Sequence, residues 1–418
     1  MNPMLVAIPV FMSTILLEAW VAHRRGMAVY NIPDALTSLH FGVLSQVWGA
    51  FTALLSFGMY VLVHDHLRFF TLPLASPWVW VGALLFYDFC YYWAHRAGHE
   101  VNLFWASHQV HHSSEYYNLS TALRQTATGA FTSWPFYVAM ALCGVPPLVF
   151  AVVGLIDLLY QYWVHTELVR KLGWLDRVFV TPSNHRVHHG QNDYCIDRNY
   201  GGILILWDRL FGTFTEERDD EAIAYGIRKP LASYNPVWGN LHAFAELLRR
   251  SKAAPTLRGA LHAWFDSPGG RGNIVPHLDT TRVRRFDTET RPETRRYALV
   301  QYLLLATMVL HFLVTVQTLS WMLGIGYALV ITATTLGIGW ALEERPFAHR
   351  FEQVRILATA LAFALLPAWF GSELPAGLRA ALVGAVLASL AWLPRYVGRH
   401  KPPHEHPECT IGERPALH

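Results

Sequence analysis

The sequence predicts an all-α fold, a polytopic integral membrane helical bundle with a cytoplasmic histidine-rich dimetal domain. Three observations predict this class. Of the 418 residues, 53% are hydrophobic and only 15% are charged, whereas soluble domains are about 25% charged. Several apolar runs are long enough to cross a bilayer, which takes about 20 helical residues. Histidines recur at helical spacing in two segments, 95–112 and 185–189.

Seven apolar runs are predicted to span the membrane, near residues 3–21, 41–63, 77–95, 297–319, 321–341, 355–371 and 376–394. Segment 130–165 is also apolar, but the sequence GVPP at 144–147 interrupts it, which predicts a helical hairpin that enters and leaves on one side. Short apolar runs are also compatible with re-entrant or interfacial segments. The first run lacks a basic start and is followed by Arg24 and Arg25, which predicts an anchor and not a cleaved signal peptide.

Basic residues orient the predicted bundle, because cytoplasmic loops are enriched in lysine and arginine. Placing the basic flanks of alternate spans in the cytoplasm puts the N-terminus outside and both histidine segments inside. The predicted organisation has five parts. They are N-terminal transmembrane helices 1–76, a catalytic domain 77–275, a cytoplasmic linker 276–296, C-terminal transmembrane helices 297–394 and a disordered cytoplasmic tail 395–418.

Charge and cysteine content exclude two other classes of site. The net charge is only +3, and basic residues are not interleaved with aromatic ones, so no nucleic-acid partner is predicted. The four cysteines lie far apart and form no CxxC pair. This spacing indicates neither a disulfide framework nor a thiolate zinc site.

The histidines between residues 95 and 189 fall at the i, i+3 and i+4 positions of helix faces. A lone histidine is more often a core residue, but three such groups predict metal ligands. Nine imidazoles exceed the needs of one ion, since structural zinc takes four ligands, and two ions with four or five each fit the number. All-nitrogen ligation suits iron, copper or zinc, and the residues alone do not choose among them. The predicted ligands are His95, His99, His108, His111, His112, His165, His185, His188 and His189.

A resemblance to the fatty acid hydroxylase and sterol desaturase superfamily is carried by three segments: DFCYYWAHRAGHEVNLFWASHQVHHSSEYYNLSTALRQ, LLYQYWVHTE and PSNHRVHHGQNDYCIDRNYGGILILWDRLFGTF. It covers about residues 30–275. The histidine boxes are common to the superfamily, whereas the extensions HHSSEYYNLSTALRQ and HHGQNDYCIDRNYGG resemble the narrower family of alkylglycerol monooxygenases. Gln161, four residues before His165, stands where some members have a further ligand histidine, which leaves one metal's coordination number open.

The resemblance implies a membrane enzyme with two iron ions, or zinc in the isolated protein. It implies that molecular oxygen hydroxylates the carbon next to the ether oxygen of an alkylglycerol lipid, giving a fatty aldehyde and a glycerol moiety. Tetrahydrobiopterin would supply two electrons. The membrane location lets the alkyl chain enter the site from the bilayer.

Two residues near the histidines are candidate catalytic and cofactor contacts. Glu100 follows His99 and faces about 100° away from it on a helix, so it is predicted either to bind the pterin or to pair with Arg96. Tyr200, in the sequence RNYGG, is a candidate contact to cofactor or substrate, with an ordinary packing role as the alternative.

Two acidic residues lie within apolar segments. Asp157 is a candidate catalytic residue because acids at membrane depth are costly and usually functional; the alternative is a capped or water-linked acid. Asp88 precedes His95 by seven residues, on the same helix face, and is expected to orient the ring of that histidine.

Two rival functions differ from ether cleavage. A fatty acid or sterol hydroxylase or desaturase with another electron donor would use the same histidine boxes. A metal transporter or scaffold would bind metal without catalysis, but transport predicts charged residues in several spans. Apart from Glu18, Asp88 and Asp157, the predicted spans and the hairpin are nearly free of charge, which favours an enzyme.

The predicted topology can be tested with single cysteines that replace His64, Pro230 and Leu374 in a cysteine-free background. A membrane-impermeant thiol reagent is expected to label positions 64 and 374 from outside, and position 230 only after the cytoplasmic face is exposed. Any other labelling pattern means that the number of spans is wrong.

Overall fold

Capping residues and prolines determine where many helices of this protein begin. Asn31, Thr256 and Ser320 each accept a hydrogen bond from a backbone N–H of the first helical turn, which satisfies a donor that has no partner within the helix. The structure is a computed structural model that describes residues 4–270 and 277–393. In this part of the chain the α-helices are α1 (Met4–Arg24), α2 (Ile32–Leu67), α3 (Pro77–Glu100), α4 (Asn102–His112), α5 (Leu119–Ala122), α6 (Gly129–Thr132), α7 (Val138–Leu142), α8 (Pro147–Trp163), α9 (Pro182–His189), α10 (Leu206–Phe211), α11 (Pro236–Ala253), α12 (Leu257–Phe265), α13 (Pro292–Thr315), α14 (Trp321–Leu342), α15 (Ala348–Leu365) and α16 (Ala376–Ala391).

Short elements connect these helices. Two-residue strands β1 (Ala368–Trp369) and β2 (Ser372–Glu373) pair antiparallel, with Ala368 opposite Glu373. One-turn 3-10 helices occupy Trp134–Tyr137, Gly173–Arg177, Asp193–Cys195, Thr280–Arg282 and Val316–Thr318. The predicted all-α class is therefore confirmed.

The structure has a helix at each of the seven predicted spans. Within the described ranges, four helical segments are long and apolar enough to cross a membrane: Leu5–Arg24, Ile32–Leu67, Pro292–Thr318 and Trp321–Leu342. The other three fall short of that measure: α3 is rich in tyrosine and tryptophan, α15 begins with charged residues, and α16 is apolar but short. The predicted tail 395–418 lies outside the described residues.

The predicted hairpin in 130–165 is present, with its turn at the predicted place. Its first arm is irregular and ends with α7, and its second arm is α8. Gly144 makes the turn with φ of +81°, and a Cβ at this position would lie 1.9 Å from the carbonyl oxygen of Phe70. Only glycine fits such a backbone and such a close approach.

A buried ionic network lies in the C-terminal bundle, next to the start of the predicted span 355–371. The Arg355 side chain donates to the Glu352 carboxylate at 2.7 Å and to Gln301 Oε1 at 2.6 Å, and Tyr297 donates to the same carboxylate. Glu352 is fully buried. The network ties α13 to α15, since a carboxylate in an apolar bundle needs hydrogen-bond donors.

Buried polar and close backbone contacts also hold α1 and α2 against the segments that follow α4 and α8. Glu18 accepts hydrogen bonds from the backbone N–H of Leu119 at 2.7 Å, from the Tyr30 hydroxyl at 2.5 Å and from Thr166. In α2, Gly42 lies against the backbone of Leu123, directly after α5. These contacts fix the loop between α4 and the hairpin.

The close approach at Gly42 predicts a loss of stability in Gly42→Ala. The added Cβ would lie 2.6 Å from the carbonyl oxygen of Leu123, and such overpacking costs about 1–3 kcal/mol. Gly49→Ala is a matched control on the same helix, because nothing lies within 4 Å of its Cβ position. That variant is expected to gain about 0.5–1 kcal/mol. Thermal unfolding of both proteins in detergent measures the difference, and equal midpoints would contradict the close contact.

Candidate metal centre

All nine predicted histidines come together in the structure, from four places in the chain. They lie at the C-terminal end of α3, on α4, just after α8 and on α9. They form two groups, and within each group the candidate ligand atoms all lie within 4.8 Å of one another. We call them the five-histidine group, which is His95, His99, His108, His112 and His188, and the four-histidine group, which is His111, His165, His185 and His189.

Two helices contribute to both groups at once. On α4, His111 belongs to the four-histidine group and His112 to the five-histidine group. On α9, His189 belongs to the four-histidine group and His188 to the five-histidine group. Consecutive helical residues point about 100° apart, so each HH pair directs one ring to either side. The ring centroids are 5.4 Å apart in the first pair and 5.3 Å apart in the second. The two groups are therefore direct neighbours.

Backbone carbonyl groups orient several of the rings. The Nδ1 atom of His95 lies 2.8 Å from the carbonyl oxygen of Tyr200, and that of His188 lies 2.9 Å from the carbonyl oxygen of Arg198. A carbonyl oxygen only accepts hydrogen bonds, so each Nδ1 carries the proton and each Nε2 keeps its lone pair. This is the usual arrangement of histidines that bind metals.

In the four-histidine group, two ring nitrogens face each other at a distance that favours a bound cation between them. The Nδ1 atom of His165 lies 2.8 Å from the carbonyl oxygen of Gln161, and that of His111 lies 3.2 Å from that of Arg124. Both Nε2 atoms therefore carry lone pairs, yet they lie only 3.2 Å apart. Facing lone pairs repel, whereas two nitrogens at about 2.1 Å from a shared ion have about this separation.

Burial and missing hydrogen bonds also indicate that these histidines bind metal ions. The Nε2 atoms of His95, His99 and His189 are buried without a hydrogen-bond partner in the described part of the chain. Burial lowers the pKa of His111 to about 4 and lowers the pKa of His185 well below its usual value. The rings are therefore neutral at physiological pH, as metal ligands must be. Neutral nitrogen donors fit iron, copper or zinc.

A buried ion pair supports the carbonyl group that orients His111. Arg124 is only 2% exposed and donates to Asp34 at 2.7 Å and to Ser38 at 3.0 Å. Sequence reasoning missed this pair, because its members lie 90 positions apart. The one available signal was that Arg124 stands in the extension that marks the narrower family.

A second carboxylate shapes the loop after α9. Asp208 accepts hydrogen bonds from the backbone N–H groups of Tyr200 and Gly201, at 2.7 and 2.8 Å. These bonds fix the backbone of the RNYGG segment, whose carbonyl groups orient His95 and His188. Asp208 was not among the sequence-based candidates.

The other predicted site residues lie at the edges of the centre. Glu100 pairs with Arg96, whose Nε lies 2.9 Å from a carboxylate oxygen. Tyr200 is fully buried; its ring centroid is 5.3 Å from that of His99, and its hydroxyl forms no hydrogen bond with the described residues. Asp157 is buried and accepts a hydrogen bond from Gln161 at 2.5 Å.

The expectation that Asp88 orients His95 is wrong. The Asp88 carboxylate instead accepts hydrogen bonds from the backbone of Ile203 at 2.7 Å and from the Trp207 indole at 2.9 Å. Residues seven apart share a helix face, but the loop before α10 lies between them and offers N–H donors. Asp88 thus fastens that loop to α3.

Two cavities reach the centre from opposite sides of α4. The first, of about 480 Å³, has a mostly apolar wall from α1, α2, α8 and α13, and it reaches His95 and His108 of one group and His111 and His165 of the other. We call it the apolar cavity. Asp157 lies on its wall.

The second cavity, of about 720 Å³, lies among α4, α11 and the loops after α9, and we call it the polar cavity. It reaches His99, His112 and His188 of the five-histidine group and His189 of the four-histidine group. Glu100 and Tyr200 line neither cavity.

Comparisons with known proteins agree with this site. The family described as Fatty acid hydroxylase matches residues 80–213. Alkylglycerol monooxygenase of Homo sapiens is 39% identical over 362 residues, covering 84% of this chain and 80% of the human protein. The Danio rerio protein of that name is 37% identical over 85% of this chain and 84% of its own length. The chain belongs to the alkylglycerol monooxygenase family.

The Xenopus tropicalis alkylglycerol monooxygenase is likewise 39% identical, over 78% of this chain and 74% of its own length. No solved structure matches the chain significantly. Family membership, the hydroxylase domain and the apolar helices together make this protein an integral membrane hydroxylase.

Loss of one histidine is expected to reduce the metal content of the purified protein. His188→Ala removes an oriented ring from the five-histidine group, and the content should fall by about one ion per chain. His262→Ala is the control, because His262 lies on α12 and pairs with Asp266 at 2.7 Å, outside both groups. Elemental analysis of both variants after identical purification gives the comparison. Equal metal content would contradict a site at the five-histidine group.

Proposed function

We propose that this protein is a di-iron monooxygenase that cleaves alkylglycerol lipids at the ether bond, with tetrahydrobiopterin as reductant. The observation that carries the proposal is the apolar cavity, because members of both histidine groups stand on its wall. Its volume of about 480 Å³ lies within the usual range of about 300–1,000 Å³ for small-molecule sites. The four named alkylglycerol monooxygenases among the relatives support this substrate class.

The histidines would hold the two iron ions, with one ion in each group. Iron bound there would supply activation of molecular oxygen. The carbonyl groups of Tyr200, Arg198, Gln161 and Arg124 keep the Nδ1 protons in place. Each Nε2 therefore stays available as a ligand throughout turnover, and fixed rings lose little entropy on binding.

The apolar cavity would bind the alkyl chain and exclude water from it. Leu39 and Val43 of α2, Leu158 of α8 and Val309 of α13 form part of its wall, and burying methylene groups against such side chains contributes about 0.8 kcal/mol each. Asp157 is the acidic group on that wall, and we assign to it a hydrogen bond from a substrate hydroxyl. A single polar contact in an apolar cavity sets the depth of the bound lipid.

Hydroxylation next to the ether oxygen gives a hemiacetal. That product collapses to a fatty aldehyde and a free glycerol hydroxyl. One oxygen atom of O₂ enters the lipid and the other leaves as water, and the reduced pterin supplies two electrons and two protons. The same geometry would serve a fatty acid hydroxylase, so substrate and donor need a direct test.

The test uses purified protein with iron, oxygen, tetrahydrobiopterin and a long-chain alkylglycerol. Aldehyde is expected to form with the wild type and to fall below detection with His111→Ala and His188→Ala, because neighbouring rings on α4 and α9 cannot reach the vacated positions. His262→Ala, outside both histidine groups, should retain activity. If iron-loaded wild type hydroxylates a free fatty acid but leaves the ether lipid intact, the ether-cleaving function is refuted and the hydroxylase remains.

A further inference from the structure

Helix α4 separates the apolar cavity from the polar cavity. Phe104, Ser107, His108 and His111 of this helix line the apolar cavity. Asn102, Trp105, Ala106, Gln109 and His112 line the polar cavity. Each set follows the i, i+3, i+4, i+7 spacing of one helix face, so the two faces of a single helix line two different cavities beside the same two histidine groups.

The wall of the polar cavity contains two amide side chains that form no hydrogen bond with the described residues. Asn102 and Gln109 are each 7% exposed, and neither side-chain amide forms a hydrogen bond with another residue in the described ranges 4–270 and 277–393. An amide without a protein partner can both donate to and accept from a ligand. The two amides lie seven residues apart on α4 and both line the cavity, where a ligand would form hydrogen bonds with them.

An aromatic residue of α4 stands between these two amides in the sequence and beside two of the histidines in space. Trp105 is on the same face of α4, and its ring centroid is 5.1 Å from that of His99 and 5.8 Å from that of His112. A flat heteroaromatic ring stacks well on tryptophan. A carboxamide presents a donor beside an acceptor, so it can pair with a ring edge that carries the complementary pattern. The wall thus suits a planar ring with amide-like edges.

Monooxygenation needs an electron donor in addition to the lipid, and a second cavity gives that donor a separate place to bind. Insertion of one oxygen atom of O₂ into a C–H bond, with the other atom leaving as water, consumes two electrons and two protons that the lipid does not supply. While the lipid fills the apolar cavity, a polar donor cannot approach through it. The polar cavity reaches four of the nine histidines without crossing that space.

We infer that the polar cavity binds the two-electron donor, a reduced pterin, with its ring on Trp105 and its edge on the amides of Asn102 and Gln109. The inference rests on the proposed function for the identity of the donor. The donor bound there does not contact Glu100, the candidate from the sequence, because the Glu100 carboxylate pairs with Arg96 outside the cavity. The pterin loses two electrons and two protons, which balances the formation of one water molecule.

The test measures binding of tetrahydrobiopterin to full-length, metal-loaded protein without oxygen, by isothermal titration calorimetry. Ala245 is an exposed residue of α11 on the cavity wall, and Ala245→Trp places an indole in the cavity. Pterin binding is expected to weaken at least tenfold. Ala253→Trp is the matched control, because Ala253 is exposed on the same helix and lines neither cavity; its affinity should equal that of the wild type.

A second variant tests recognition by the amide. Gln109→Leu keeps the approximate size of the side chain but removes its donor and acceptor, and affinity should fall by about fivefold to tenfold. Metal content and the binding of an alkylglycerol should remain as in the wild type for Ala245→Trp, Ala253→Trp and Gln109→Leu. This combination would support the inference.

Other outcomes separate failure of the inference from failure of the proposed function. Wild-type protein that binds no pterin would refute the proposed donor and the inference with it. Pterin binding that survives both Ala245→Trp and Gln109→Leu would leave the donor in place but overturn its location, as would loss of binding in Glu100→Gln alone. Loss of alkylglycerol binding in Ala245→Trp would make the polar cavity a lipid headgroup site and overturn the inference.

Discussion

The hydrogen bond from a histidine Nδ1 to a backbone carbonyl oxygen is the interaction on which this centre depends. It determines which ring nitrogen has a lone pair and where that lone pair points. The carbonyl groups come from Arg124, Gln161, Arg198 and Tyr200, so the end of α8 and two separate loops decide the geometry of the centre. Much of the remaining polar structure keeps those loops in place. Buried Arg124, Asp208 and Glu18 are parts of the same framework.

The need to position these carbonyl groups explains why the protein contains buried charged residues, which are costly in free energy. A fully buried arginine or carboxylate is costly unless every polar atom finds a partner. The Asp34–Arg124 pair at 2.7 Å meets that condition through further bonds to Ser38 and Ser113. Apolar packing alone could not hold a carbonyl oxygen within hydrogen-bond distance of a chosen ring. Directional bonds achieve this because their strength depends on angle as well as distance.

The sequence predicted the helices and the gathering of the histidines for a shared reason. Apolar runs and i, i+3, i+4 spacing are local properties, and local periodicity survives folding. Contacts between distant segments leave no such periodicity, so the partners of Asp34 and Asp88 could not be predicted. The network around Glu352 was missed for a related reason: Arg355 stands at the edge of an apolar run and resembled a cytoplasmic flank. The two cavities also depend on how distant helices meet.

A single helix as the wall between two cavities has a consequence for how such enzymes diversify. The two lining surfaces have no residue in common, although both reach the same two histidine groups. Under the proposed function, a substitution on α1 or α13 can change the lipid chain that fits the apolar cavity without altering α11, and a substitution on α11 leaves that cavity unchanged. Specificity for the lipid substrate and specificity for the electron donor can therefore change independently under this proposal. Among the described helices, only α3 and α4 line both cavities.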